Sequence, residues 1–161
     1  MQSDCRHFGP RMAVELPRAS DAAVRLFACF SRFEFALKES GYVRADRHGA
    51  AQPDWDKFAA LETLPATMEH LRISGGVAEL FADPPKRQVA AGNHWTWAAA
   101  EPITDAVSFI RAIKQVRNNL FHGGKAGTNP RDDHLCDDAV ACLIALLDLD
   151  PGVRNVFRGL Y

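Results

Sequence analysis

The stretch Ile103–His122, ITDAVSFIRAIKQVRNNLFH, decides the fold. Ile103, Val107, Ile110, Ile113, Leu120 and Phe121 recur at helical spacing on one side of it. Gly123 and Gly124 follow directly and supply a left-handed stop. Upstream, Ser20 and Asp21 offer caps for a second long helix reaching about Ser40. Its apolar stripe is Val24, Phe27, Phe30, Phe33 and Leu37, and Gly41 closes it. Downstream, acids in a first turn and Pro151 as terminator bound a third helix from about Asp132 to Leu149.

Between these anchors the pattern is more broken. Asp54 can cap a helix from Trp55 through Phe58, Leu61 and Leu64, which Pro65 interrupts. Residues 67–73 and 77–81 form shorter helical pieces around Gly75 and Gly76. Residues 42–53 read as a loop, and residues 86–100 carry no assignment. No run alternates with period two for long enough to argue for a sheet. The expectation is an all-α domain, an antiparallel bundle of four to five helices over residues 20–150. Residues 1–19 read as an arm, and residues 151–161 as a tail or short helix.

Composition narrows the class. The chain has 161 residues, 47% of them hydrophobic, enough for one domain with its own core. A net charge of −1 argues against coating nucleic acid by bulk charge, although a local basic cleft needs no such excess. The four cysteines, Cys5, Cys29, Cys136 and Cys142, form no C-x-x-C pair and read as reduced thiols, mostly buried, in a cytoplasmic protein. The longest uninterrupted apolar run, residues 139–147, is too short for a bilayer, and no secretory signal is apparent.

The helix end Arg117-Asn118-Asn119-Leu120-Phe121-His122 carries the chemistry. Arg117 falls inside the apolar arc, where a charge needs a carboxylate, a phosphate or a second subunit. Arginine holds phosphate in a bidentate fork, and histidine moves protons near neutral pH. Asn118 stands one turn before His122 and can hydrogen-bond its ring. The plainer reading is a buried Arg paired with a helix carboxylate, and a His at a helix C-terminus. Glu34 falls within the apolar arc of the first long helix. It is either the partner of Arg117 or a carboxylate at a wet edge of that stripe. Lys114 and Lys125 add positive charge beside Arg117. Gly123-Gly124-Lys125 is not a Walker sequence, because Asn119 and Ala126 stand where that motif needs Gly and Ser or Thr. The acids Asp132, Asp133, Asp137 and Asp138, with His134, read as dipole partners of their helix rather than cation ligands. Trp55, Trp95 and Trp97 read as core or dimer packing in preference to base stacking.

This helix end resembles the R-x4-6-H motif of the HEPN superfamily, including the Asn directly after the Arg and the late position on a helix. The segment Phe33-Glu34-Phe35-Ala36-Leu37-Lys38 is similar to the early helix of some members, and the resemblance spans roughly residues 20–150. It implies an antiparallel helical bundle, a homodimer with two motif copies facing each other, and a metal-independent endoribonuclease without cofactor in a toxin or antiviral setting. On that resemblance Arg117 binds the scissile phosphate, His122 is general acid or base, and Asn118 orients His122 or contacts phosphate. Glu34, Asn119, Lys114 and Lys125 are supporting residues, RNA is the substrate, and an antitoxin protein is a further partner. The tyrosine that some HEPN toxins carry two residues after the motif His is Gly124 here, which departs from that mode of regulation. The alternatives are a non-catalytic HEPN-like module binding nucleotide, RNA or protein, and a helical dimerisation scaffold.

Overall fold

The computed structural model describes residues 18–121 and 129–160. It is mostly helical, with seven α-helices and two small antiparallel sheets among the described residues. Helix α1 (Asp21–Glu39) starts where Ser20 accepts the Ala23 N–H at 3.2 Å. The Ser20 hydroxyl also donates to Asp133 at 2.6 Å, tying this cap to a distant helix. The α1 core face is Ala22, Leu26, Phe30, Phe33, Ala36 and Leu37. Val24 and Phe27, expected in the stripe, are instead 54% and 53% exposed. The spacing admitted a broad arc, and packing buries only the Leu26–Phe33–Leu37 side of it.

The segment expected to be a loop after α1 is a hairpin, β1 (Val43–Ala45) with β2 (Ala51–Pro53). Asp46 closes its turn by accepting the N–H groups of His48 and Ala50 at 2.8 and 2.9 Å. Helix α2 (Trp55–Ala59) is capped by Asp54, which accepts the Lys57 N–H at 3.0 Å. Pro65 does not interrupt a helix. It lies in the first turn of α3 (Leu64–Ser74), where its missing N–H costs nothing. Helix α4 (Ala78–Ala82) follows.

The unassigned segment holds a second hairpin, β3 (Gln88–Ala91) with β4 (His94–Trp97), turned through Gly92-Asn93. Gly92 has φ 62°, while no non-glycine residue has positive φ among those described, the pattern of a type II′ turn. The all-α expectation thus holds roughly, with two small antiparallel sheets added to a mostly helical chain. Both ribbons are short and mostly exposed, so neither leaves a half-buried alternation in the sequence.

Helix α5 (Ala106–Phe121) begins later than expected, at a reciprocal capping arrangement. Ser108 N–H donates to Asp105 at 2.7 Å, and Asp105 N–H donates to Ser108 Oγ at 3.0 Å. Hydrogen bonds from Ser108 hold the Asp105 carboxyl below its ordinary pKa. Helix α6 (Pro130–Leu146) buries Leu135, Cys136, Ala139, Cys142, Leu143 and Leu146, then tightens into a 3-10 turn at Leu147–Leu149. Its acids tie the bundle together: Asp137 pairs with Arg25 at 2.7 Å, and Asp138 accepts the Leu80 N–H at 2.9 Å. Helix α7 (Pro151–Arg158) belongs to the core, since Val153 is fully buried and Arg32 donates to the Phe157 and Val156 carbonyls.

Cys136 and Cys142 are buried free thiols, and Cys29 is half-buried, with burial pushing its pKa up to about 11. No described helix is long and apolar enough to cross a membrane.

Candidate functional site

Arg117 leaves the last turn of α5 and reaches α1. Its Nη2 lies 3.5 Å from Glu34 Oε2, with the Arg side chain 34% and the Glu side chain 24% exposed. The two readings of Glu34 are thereby separated, because it is the carboxylate facing Arg117. The pair is longer than a tight charge-assisted hydrogen bond of roughly 2.7–2.9 Å, so the guanidinium is held without being fully engaged. Phe30 and Phe121 flank it, with ring centroids 5.1 and 5.0 Å from Cζ. Its Nη1 donates to Asn118 Oδ1 at 2.9 Å. Ile110 and Ile113 are buried, as the arc required, and Arg117 sits at the rim of that arc.

Glu34 is itself held in place. Trp55 Nε1 donates to Glu34 Oε1 at 3.2 Å, so an indole and a guanidinium bind opposite oxygens of one carboxylate. Trp55 is 4% exposed and stacks on Phe33, centroids 5.4 Å apart and planes 7° from parallel. A buried tryptophan N–H seeks an acceptor, and a Glu on the neighbouring apolar face was the signal that could have revealed it. Trp55→Phe keeps an aromatic ring while removing the N–H donor and the second ring of the indole. Unfolding in urea is expected to show a loss of about 1–3 kcal/mol with an unchanged slope, the hydrogen bond and the lost ring volume both contributing. A midpoint identical to wild type would mean that the indole N–H contributes nothing to the placement of Glu34.

Lys114 lies one turn before Arg117, its ammonium 6.0 Å from the Trp55 ring centroid. Burial lowers its pKa. Asp56 and Glu34 oppose that shift, while Arg44 and Arg117 reinforce it. Lys114, Arg117, Glu34 and Trp55 thus form one partly sheltered cluster of net positive charge.

Asn119 does not join it. It is 8% exposed and points to the other side of α5. Its Oδ1 accepts from Gln115 Nε2 at 2.7 Å, and its Nδ2 donates to the Lys86 carbonyl at 2.9 Å. Two residues beyond Arg117 is about 200° around a helix, which is why both cannot face one site. Asn119 is a structural clamp, not a supporting site residue. His122 and Lys125 lie outside the described residues.

Beside Arg117 the surface is apolar and open. Phe27 and Phe121 meet at 5.5 Å and are 53% and 56% exposed. With Ala19, Ala23, Val24 and Leu120 they line a shallow groove of about 240 Å³. Of the tryptophans, only Trp55 is core, and Trp95 is 53% exposed against Trp97 on the second hairpin. Among the described residues no group of three or more His, Cys, Asp or Glu is arranged to hold a metal ion. No family model, no curated protein and no solved structure matches the chain.

Proposed function

We propose that the chain is a HEPN-like, metal-independent endoribonuclease acting in a toxin or defence setting in the cytoplasm. The observation that carries this reading is the Trp55–Glu34–Arg117 relay, which presents a half-buried, incompletely engaged guanidinium five residues before His122. A guanidinium so oriented stabilises charge developing on the non-bridging oxygens of a phosphodiester. His122 takes the proton from the ribose 2′-hydroxyl or delivers one to the departing 5′ oxygen. The phosphorus–oxygen bond to the 5′ oxygen breaks as the 2′ oxygen bonds phosphorus, giving a 2′,3′-cyclic phosphate and a 5′-hydroxyl. The exposed Phe27–Phe121 surface beside Arg117 supports a homodimer that brings two such motifs together.

The test is cleavage of a mixed-sequence RNA in excess chelator, with end-group analysis of the fragments. Undiminished cleavage with cyclic phosphate ends is expected, and cleavage that stops on chelation would reject the mechanism. The second reading is a non-catalytic module that binds RNA. It is favoured by Arg117 being flanked by two rings and already paired with a carboxylate, and it predicts retention of RNA without fragments.

A further inference from the structure

On the side of α5 turned away from Arg117, the segments flanking the second hairpin, with Pro84, Pro85, Arg87, Ala99 and Glu101, border a partly open cavity of about 280 Å³. Ser108, Arg111, Ala112 and Gln115 face it at helical spacing. One wall is pinned: the Lys86 carbonyl is held by Asn119, and the Arg87 carbonyl accepts the Ala98 N–H at 2.9 Å. The backbone of that wall is fixed before a ligand enters, which leaves the two arginine side chains to order on binding.

The chemistry inside is specific. The Arg87 guanidinium makes no hydrogen bond or ion pair among the described residues. Arg111 pairs with Glu101 at 3.1 Å. Two guanidiniums and one carboxylate leave a single formal positive charge. Gln115 spends its amide N–H on Asn119, which leaves its carbonyl as an acceptor. Pro84, Pro85 and Ala112 supply an apolar floor.

We infer that this cavity binds a small organic monoanion with a planar body. Its oxyanion meets Arg87 and Arg111, its ring lies on the proline floor, and an N–H or O–H on it donates to Gln115. The charge balance matches one negative charge, and the volume suits a small molecule rather than a polymer. The oxyanion is a carboxylate or a phosphodiester, two groups that an arginine pair receives in the same way. This site is independent of the ribonuclease reading, because it shares no residue with the Arg117 cluster.

The test is calorimetric titration of the full chain with two probes, para-aminobenzoate and cyclic adenosine monophosphate. At least one is expected to bind with a Kd below about 1 mM, and the better probe identifies the oxyanion. Arg87→Ala is expected to weaken that binding roughly tenfold or more. Arg111→Ala does the same by leaving Glu101 facing the anion. Arg25→Ala, which removes a surface charge elsewhere, leaves the affinity unchanged. Circular dichroism verifies that each variant is folded. Failure of both probes to bind wild type overturns the inference. So does an Arg87→Ala variant that binds as wild type, or an Arg25→Ala variant that weakens binding as much.

Discussion

His122→Ala is expected to slow RNA cleavage by about 10²- to 10⁴-fold, the usual contribution of a positioned acid or base, while thermal unfolding stays near wild type. The selectivity is the point of the experiment. The described buried residues of α5 run from Ala106 to Asn119, so the core face of that helix is already composed before position 122 in the sequence. A variant that cuts RNA at the wild-type rate would remove His122 from the proposed chemistry. A variant that loses RNA binding along with cleavage would make His122 a binding residue rather than the acid or base. Arg117 is a less clean target, because its guanidinium also packs on Phe30 and Phe121, and truncation would disturb both rings.

The second large effect lies in the core. Phe33→Ala is expected to cost about 3–5 kcal/mol, a large share of the roughly 5–15 kcal/mol that stabilises a typical domain. Phe33 is fully buried and meets Trp55, Phe58 and Phe157, so its removal opens a cavity where α1, α2 and α7 converge. Denaturant unfolding measures the loss. A change below 1 kcal/mol, as ordinary surface substitutions give, would mean that the aromatic cluster collapses to refill the space. Because Trp55 rests on Phe33 and donates to Glu34, Phe33→Leu offers a milder variant in which a shifted indole can be followed by its fluorescence.

The three long helices were legible because each carries an apolar face at helical spacing and a chemically marked start or stop. Ser20, Pro130 and Gly41 mark the ends that matter, although Pro130 places the α6 start two residues earlier than its acids suggested. The faces were less legible than the helices. Val24, Phe27 and Phe121 belong to the apolar arcs by spacing yet remain exposed, since periodicity does not say which part of an arc a neighbour covers. The hairpins were missed for a related reason. Exposed two-stranded ribbons bury neither face, so their sequences do not alternate. Gly92-Asn93 was a local turn signal without a hydrophobic pattern around it. In the site, Arg117 and Glu34 stood out as charges on apolar faces, and the geometry pairs them. Trp55 is core, as its sequence reading expects, but its bond to Glu34 was not legible, because a buried aromatic looks the same in sequence whether or not its N–H has a partner. Asn119 was misplaced because adjacency in a motif is not adjacency on a helix.

The Gln115–Asn119–Lys86 chain of hydrogen bonds has a mechanical consequence. It locks the rotational phase of α5 from one side while Arg117 points out of the other. A single residue inserted between Val116 and Arg117 would turn everything after it by about 100°. Arg117 and Asn119 would be carried away from their partners together, and Gln115 would lose its i,i+4 spacing to Asn119, so the clamp and the ion pair would fail at once. The exposed turns at Asp46–Ala50 and Gly92-Asn93 carry no such lock. Length variation is therefore tolerable at the ribbon tips and forbidden in the last two turns of α5, whatever residue types occupy them.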